Sequence, residues 1–158
     1  MNIARRAAIA SVCAAVLLGA LKAWAAWRTG SVAMLASLAD SLLDLVASLV
    51  TLAGVHIAAQ PADAEHRFGH GKAEALAALF QVALISVSAC LIAVRAVQRM
   101  ASGEDAADAE SGIAVSIAAI VVTLLLTAYQ RRAIAATGSV AIKTDRLHYQ
   151  SDLLLNAG

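Results

Sequence analysis

The sequence predicts an all-α integral membrane protein, a bundle of transmembrane helices, and its composition is the first support for that fold class. Hydrophobic residues make up 61% of the 158 residues, charged residues only 15%, and the mean hydropathy is +0.76. Apolar stretches of roughly 20 residues, the length that crosses a bilayer, follow one another along the chain. Because several occur, the first is not interpreted as a cleaved signal peptide. Five spans are predicted, at residues 9–27, 32–56, 75–94, 113–129 and 140–158.

The first four spans follow from their apolar composition, and their ends carry typical markers. Trp24 and Trp27 lie at the end of the first span, where an outer aromatic belt is expected. Pro61, the only proline, ends the second span. The fifth span is the least apolar, and without its ligand pattern it would be predicted as an interfacial helix. Its ionisable residues are Lys143, Asp145, Arg146, His148 and Asp152.

The twelve basic residues predict the orientation of the chain. If the N-terminus is cytoplasmic, only Arg28, Arg95 and Arg99 face outward, and Lys22 lies within the first span. The other eight then face the cytoplasm: Arg5, Arg6, Arg67, Lys72, Arg131, Arg132, Lys143 and Arg146. We therefore expect a multi-pass protein of the inner (plasma) membrane with a cytoplasmic N-terminus.

Charge and cysteine usage argue against other kinds of partner. The net charge is +1 and there is no stripe of basic and aromatic residues, so nucleic acid is not an expected partner. Cys13 and Cys90 are isolated in apolar helices and form no CxxC motif, which gives no sign of a redox or thiolate-metal site.

Two polar pairs inside the predicted spans indicate an ion-binding site. Asp40 and Asp44 on helix 2, like His148 and Asp152 on helix 5, are spaced i and i+4 and so share a helix face. At about 1.5 Å per residue, the aspartates of helix 2 lie roughly 13 and 19 Å from its outer end. The helix 5 pair lies roughly 12 and 18 Å from the inner end of that helix. Antiparallel helices would bring both pairs to the midplane, where ionisable groups usually mark an ion or proton path.

A structural alternative is an ion pair between Lys22 of helix 1 and one aspartate of helix 2. One lysine can neutralise one carboxylate, but it does not account for two aspartates and a second polar pair at matching depth. Three carboxylates and one imidazole, in contrast, make a four-ligand site for a divalent cation.

A second polar cluster lies in the loop after helix 2. Asp63, His66 and His70 have a spacing that can supply three metal ligands. The D-x-x-H-x-x-x-H pattern alone also fits solvated loop histidines that bind nothing. Lys72 and Glu74, which follow, are expected to form ion pairs at the membrane surface.

Taken together, these motifs resemble the cation diffusion facilitator family, and most closely its bacterial zinc transporters. The matching blocks run in the family's order from helix 2 to helix 5. They are Asp40-Ser-Leu-Leu-Asp44, Gln60-Pro-Ala-Asp63, Phe68-Gly-His70-Gly-Lys72-Ala-Glu74 and Leu147-His148-Tyr-Gln-Ser-Asp152.

The resemblance implies roles for these residues and parts beyond this chain. It implies a transport site at Asp40, Asp44, His148 and Asp152, and a cytoplasmic loop metal site at Asp63, His66 and His70. It also implies a six-helix transmembrane domain, a metal-binding cytoplasmic C-terminal domain and a homodimer. Since the sequence stops within the fifth span, we expect a longer protein whose sixth helix and C-terminal domain are absent from this chain.

The function expected from the residues and the resemblance is secondary active export of Zn²⁺ in exchange for protons. No enzymatic activity, catalytic residue or bound cofactor is predicted. Oxygen-rich sites with one imidazole also accept Cd²⁺, Fe²⁺, Co²⁺ or Mn²⁺, because affinity order does not fix selectivity. The expected partners are the lipid bilayer, divalent metal ions and a second copy of the chain.

Two other functions use the same residues. A metal-selective channel would need similar ligands without proton coupling, and the sequence separates it poorly from a transporter. An intramembrane metallohydrolase would need a base beside the ligands, as in HExxH. The segment His66-Arg-Phe-Gly-His70 has the histidine spacing but lacks the glutamate, which argues against a hydrolase.

Overall fold

Among the residues that the structure describes, 2–102 and 109–157, the chain forms five helices and no strand. The structure is a computed structural model. Its helices are α1 Ile3–Thr29, α2 Val32–Ala58, α3 Lys72–Ser102, α4 Ala109–Thr137 and α5 Val140–Ala157. The predicted all-α bundle is therefore confirmed. Each predicted span falls within one helix, except that Gly158, the predicted end of the fifth, lies outside the described residues.

The helices extend beyond the predicted spans, as α1 illustrates. Hydropathy marks where the chain is apolar, whereas a helix ends where its terminal hydrogen-bonding groups find other partners. At the start of α1 the Asn2 side chain accepts a hydrogen bond from the Ala4 N–H at 3.4 Å. At its end Gly30 adopts a left-handed conformation with φ 64°, and its N–H bonds the Ala26 carbonyl at 2.9 Å.

Four of the described helices contain segments long and apolar enough to cross a membrane. These segments are Ile3–Thr29, Met34–Ala58, Lys72–Leu91 and Ile113–Thr137. The fifth helix does not qualify, because its ionisable side chains reduce its apolar character. It nevertheless packs against α1, α2, α3 and α4. The polar helix is thus held against the apolar ones, which buries its residues Asp145 and His148 within the bundle.

Small side chains make the central helix contacts. Among described residues the largest buried cluster consists of six alanines with Val55 and Ile142. Larger apolar side chains point outward instead, including Leu17 of α1, Leu79 of α3 and Leu125 of α4. This arrangement suits a bilayer, because lipid chains are as apolar as leucine and small residues let helix backbones approach closely.

The contact between α2 and α3 depends on Gly54. A Cβ atom at Gly54 would lie 2.5 Å from the Ala77 Cβ and 3.0 Å from the Ala73 carbonyl oxygen. The two helices therefore cross at a distance that only glycine permits at this position.

Glu74 joins the start of α3 to the start of α5. Its carboxylate accepts hydrogen bonds from the Ser139 hydroxyl at 2.7 Å and the Val140 N–H at 3.1 Å. The prediction that Lys72 and Glu74 form ion pairs was wrong for the described residues, since neither has an ion pair with any of them. Glu74 instead binds the start of α5, because the free N–H groups at the start of a helix attract a carboxylate.

Candidate metal centre

The crossing of α2 and α5 brings three of the four predicted transport-site residues together. Ligand atoms of Asp44, His148 and Asp152 all lie within 4.8 Å of one another. The His148 Nε2 atom is 3.0 Å from Asp44 Oδ1 and 3.7 Å from Asp152 Oδ2. His148 is buried, whereas the two carboxylates are partly accessible, with side-chain exposures of 17% and 25%.

These separations suit a small divalent cation. Zinc binds imidazole nitrogen and carboxylate oxygen at about 2.0–2.2 Å, so neighbouring ligands of a tetrahedral site lie about 3.4 Å apart. The two measured distances at His148 Nε2 lie on either side of that value. The cluster therefore has the donor types and the spacing of three ligands of one site.

Asp40 is the predicted ligand that the structure does not bring into this cluster. It lies one helical turn before Asp44 on α2, and its side chain is exposed. The i, i+4 spacing places the two aspartates on one side of the helix, but it does not fix how far each reaches toward α5. Its role as a fourth ligand stays a prediction.

Lys22, the basis of the structural alternative, is buried on α1. None of the ion pairs within 4.0 Å between described residues includes it. Asp44 contacts His148 rather than this lysine. The structure therefore does not show the ion pair between Lys22 and an aspartate of α2 that the structural alternative requires.

A buried carboxylate one turn before His148 was not predicted as a site residue. Asp145 is fully buried and accepts three hydrogen bonds, each from a different helix. The donors are the Ser11 hydroxyl of α1 at 2.6 Å, Gln81 Nε2 of α3 at 2.8 Å and Gln130 Nε2 of α4 at 2.7 Å. Asp145 thus ties the helix that carries His148 to three others.

The same network reaches α2 and continues to the neighbour of His148. Gln81 also donates to the Thr51 hydroxyl of α2. The Tyr149 hydroxyl lies 3.0 Å from the Ser48 hydroxyl of α2 and donates to the Ser11 carbonyl at 3.0 Å. The sequence signal that could have predicted this network is the presence of polar residues inside apolar helices, because such residues usually face the bundle interior.

The loop between α2 and α3 brings all three of its predicted residues together. Asp63 Oδ1 lies 3.3 Å from His66 Nδ1, and Asp63 Oδ2 lies 3.4 Å from His70 Nε2. The two imidazole rings are 4.5 Å apart. Gly69, in a left-handed conformation with φ 78°, donates its N–H to the His66 carbonyl at 2.9 Å and turns the chain back between the histidines.

Backbone groups hold the loop carboxylate in place. Asp63 Oδ1 accepts two backbone hydrogen bonds, from the His66 N–H at 2.6 Å and from the Glu65 N–H at 3.0 Å. These bonds, that of His66 first, lower the pKa of the Asp63 carboxyl below its ordinary 3.8, because they stabilise the charged form. Asp63 and His66 are more than half exposed and His70 is mostly buried. The cluster is therefore a preformed three-donor site open to the solvent.

Comparison with known proteins agrees with this architecture. The cation efflux transmembrane domain family matches residues 8–158, nearly the whole chain. The chain belongs to the cation efflux family. The sequence resemblance to cation diffusion facilitators is thereby confirmed.

Several curated relatives that the chain matches are named cation-efflux pumps. The cation-efflux pump FieF of Cronobacter sakazakii is 48% identical over 151 residues, which cover 96% of this chain and 50% of the relative. That of Pectobacterium carotovorum is 48% identical over 150 residues, 95% of this chain and 50% of the relative. The cation-efflux pump FieF of Yersinia pestis is 47% identical over 152 residues, which cover 96% of this chain and 51% of the relative. The chain spans about half the length of these relatives.

Family membership and the apolar helices together make this a multi-pass membrane protein, as the sequence predicts. Within the cation efflux domain the polar cluster of α2 and α5 lies among helices whose exposed surfaces are apolar. Ionisable residues are uncommon in membrane helices, and they usually mark an ion or proton path.

Proposed function

We propose that the protein exports a divalent metal cation across the inner membrane, with Zn²⁺ as the favoured substrate and protons as the counter-ion. The observation that carries this proposal is the cluster of Asp44, His148 and Asp152 inside an apolar bundle. Relatives named cation-efflux pumps support the direction of transport. The eight basic residues on one side support a cytoplasmic N-terminus.

Proton exchange follows from the chemistry of the ligands. A carboxylate and an imidazole bind metal only in their deprotonated forms, so metal and protons compete for the same atoms. Metal would enter from the cytoplasm, and the helices would rearrange so that the site opens outward. Protonation of the ligands there would release the ion. Asp40 is proposed as the fourth ligand, since two carboxylates and one imidazole leave one tetrahedral position free.

The loop cluster of Asp63, His66 and His70 is proposed as an accessory metal site. It lies between α2 and α3 on the side that the basic residues assign to the cytoplasm. Metal bound there would link the ends of two helices without meeting the ion during translocation. The full-length protein is proposed to act as a homodimer, as the family resemblance implies.

The experiment that tests the function uses the full-length protein in liposomes with an imposed pH gradient. Influx of Zn²⁺, Cd²⁺, Fe²⁺, Co²⁺ and Mn²⁺ is measured separately, with Asp44→Ala as the inactive variant. Ser151→Ala is the matched control on α5, because Ser151 bonds, among the described residues, only the Leu147 carbonyl of its own helix. We expect gradient-driven Zn²⁺ flux in the wild type and the control. Zn²⁺ flux in Asp44→Ala equal to that of the wild type would refute the proposed site.

A further inference from the structure

A groove between α4 and α5 lies apart from both metal clusters. Its volume is about 630 Å³, and Arg131, Arg132, Arg146, Leu124 and Leu153 are among its lining residues. No carboxylate lines it. None of the three arginines forms an ion pair with a residue that the structure describes. The Nε atom of Arg146 is buried without a hydrogen-bond partner among the described residues. The groove therefore concentrates three positive charges that nothing in the described chain neutralises.

The arginines lie at one depth in the membrane. Arg131 lies six residues before Thr137, the end of α4, and Arg146 lies six residues after Val140, the start of α5. At 1.5 Å per residue both are about 9 Å from the turn that joins the helices. The 29 residues of α4 measure about 44 Å, close to the bilayer thickness with its headgroups. The arginines thus lie near the boundary between headgroups and hydrocarbon.

The apolar lining lies deeper on both helices. Leu124 precedes Arg131 by seven residues and Leu153 follows Arg146 by seven, which puts both leucines about 10 Å nearer the membrane centre. Both helices therefore present arginine at headgroup depth and leucine at acyl-chain depth. A free phosphate ion would use only the first part, whereas a phospholipid would use both.

We propose that this groove binds an anionic phospholipid, with its phosphate on Arg131, Arg132 and Arg146 and an acyl chain along Leu124 and Leu153. Arginine forks bind phosphate through paired hydrogen bonds, and basic pockets between membrane helices on the cytoplasmic side bind anionic headgroups. The lipid bridges α4 to α5, the helix of His148. The leaflet rests on the proposed orientation, whereas the site itself does not depend on metal transport.

The test measures lipid retention by the full-length protein in detergent with native mass spectrometry. The probes are phosphatidylglycerol, phosphatidylethanolamine and inorganic phosphate. We expect one phosphatidylglycerol to bind in preference to phosphatidylethanolamine. Replacing all three arginines by Gln is expected to lower the affinity for phosphatidylglycerol about a hundredfold, taking roughly 1 kcal/mol for each basic residue. Replacing them by Lys, which keeps the charge, should preserve part of the binding.

The matched control removes three other basic residues from the same end of the bundle, Arg5, Arg6 and Lys143, all of them exposed. An equal loss of affinity in the control would show general charge attraction and overturn the proposal. Inorganic phosphate that competes fully with the lipid would overturn the acyl-chain contact. A wild-type protein that binds phosphatidylglycerol no better than phosphatidylethanolamine would overturn it without any variant, for instance because another segment of the protein fills the groove.

Discussion

At the scale of single residues, the contact between His148 and Asp44 determines the chemistry of the site. Their nitrogen and oxygen atoms are 3.0 Å apart, which is hydrogen-bond distance and also close enough for both atoms to bind one cation. Because metal ligands must be deprotonated, a cation and a proton would compete for these two atoms.

Replacing Asp44 by Ala is expected to abolish transport and to weaken zinc binding more than a hundredfold. Groups that only hydrogen-bond to a metal ligand already contribute about 10–100-fold to metal affinity, and Asp44 is in the cluster itself. Asp40→Ala is expected to abolish transport as well if Asp40 moves in to complete the site. Zinc affinity measured by isothermal titration distinguishes the two variants. An unchanged affinity in Asp40→Ala would show that the site has three protein ligands and not four.

The loop site has a pH dependence that follows from Asp63. Its pKa is lowered, so its ionised form and hydrogen bonds are retained above the ordinary value and lost only as pH falls through the lowered pKa. Asp63 is therefore charged throughout about pH 5 to 8. In this range, protonation of Asp63 should therefore contribute no pH dependence to zinc binding at the loop.

Zinc titrations at several pH values in an Asp44→Ala background, which weakens the α2–α5 cluster and leaves the loop cluster intact, check this prediction. Asp63→Asn and His70→Gln should both lower the affinity, and Asp63→Asn should leave its pH slope unchanged. Glu65→Gln is the control, because Glu65 is exposed and lies outside the cluster. A smaller slope in Asp63→Asn would contradict the assignment.

At the scale of helices, the position of α5 depends on buried polar contacts, and the Asp145 network supplies them. Gln130→Leu removes one of three donors to a buried carboxylate, and is expected to lower the free energy of unfolding by about 1–3 kcal/mol. Gln98→Leu is the control, since Gln98 is exposed on α3. Thermal unfolding in detergent measures both. Equal stability of the two variants would show that the network does not hold α5.

The approach of α2 to α3 gives a second prediction at this scale. Gly54→Ala would place a methyl group 2.5 Å from Ala77, and overpacking of this kind costs about 1–3 kcal/mol. Gly19→Ala is the control, because a Cβ there meets nothing within 4 Å and helix propensity favours alanine by up to about 1 kcal/mol. Unfolding midpoints should move in opposite directions. A stabilised Gly54→Ala would show that the two helices can separate without loss.

The sequence was sufficient to predict a helix wherever the residues of that helix alone carry the pattern. The first four spans follow from apolar runs, and α5 could be predicted only because His148 and Asp152 repeat the spacing of Asp40 and Asp44. Contacts between distant residues were not predictable, since the meeting of Asp145 with Gln81 and Gln130 depends on the rotation of three helices about their axes. For the same reason, spacing alone did not show that Asp40 lies outside the cluster.

At the scale of the whole molecule, the bundle combines two ways of holding a polar helix in a membrane. Alanine contacts bring the helices close together, and hydrogen bonds from four helices reach Asp145 and Tyr149 of α5. Outside, many leucines are exposed, which suits contact with lipid chains. Because the site lies between α2 and α5, a change in their crossing would alter both its geometry and its exposure, which is what alternating access requires.

Proton coupling distinguishes a transporter from a channel, and it is a property of the whole cycle. If protons and zinc compete for the same ligands, zinc binding must release protons, which titration in buffers of different ionisation enthalpy counts. His148→Asn keeps a polar side chain but removes the imidazole that contacts both carboxylates, so proton release should fall and flux should respond less to a pH gradient. Unchanged proton release would assign the coupling to the aspartates. Wild-type zinc flux indifferent to the gradient would instead identify a channel, because a channel conducts metal without exchanging it for protons.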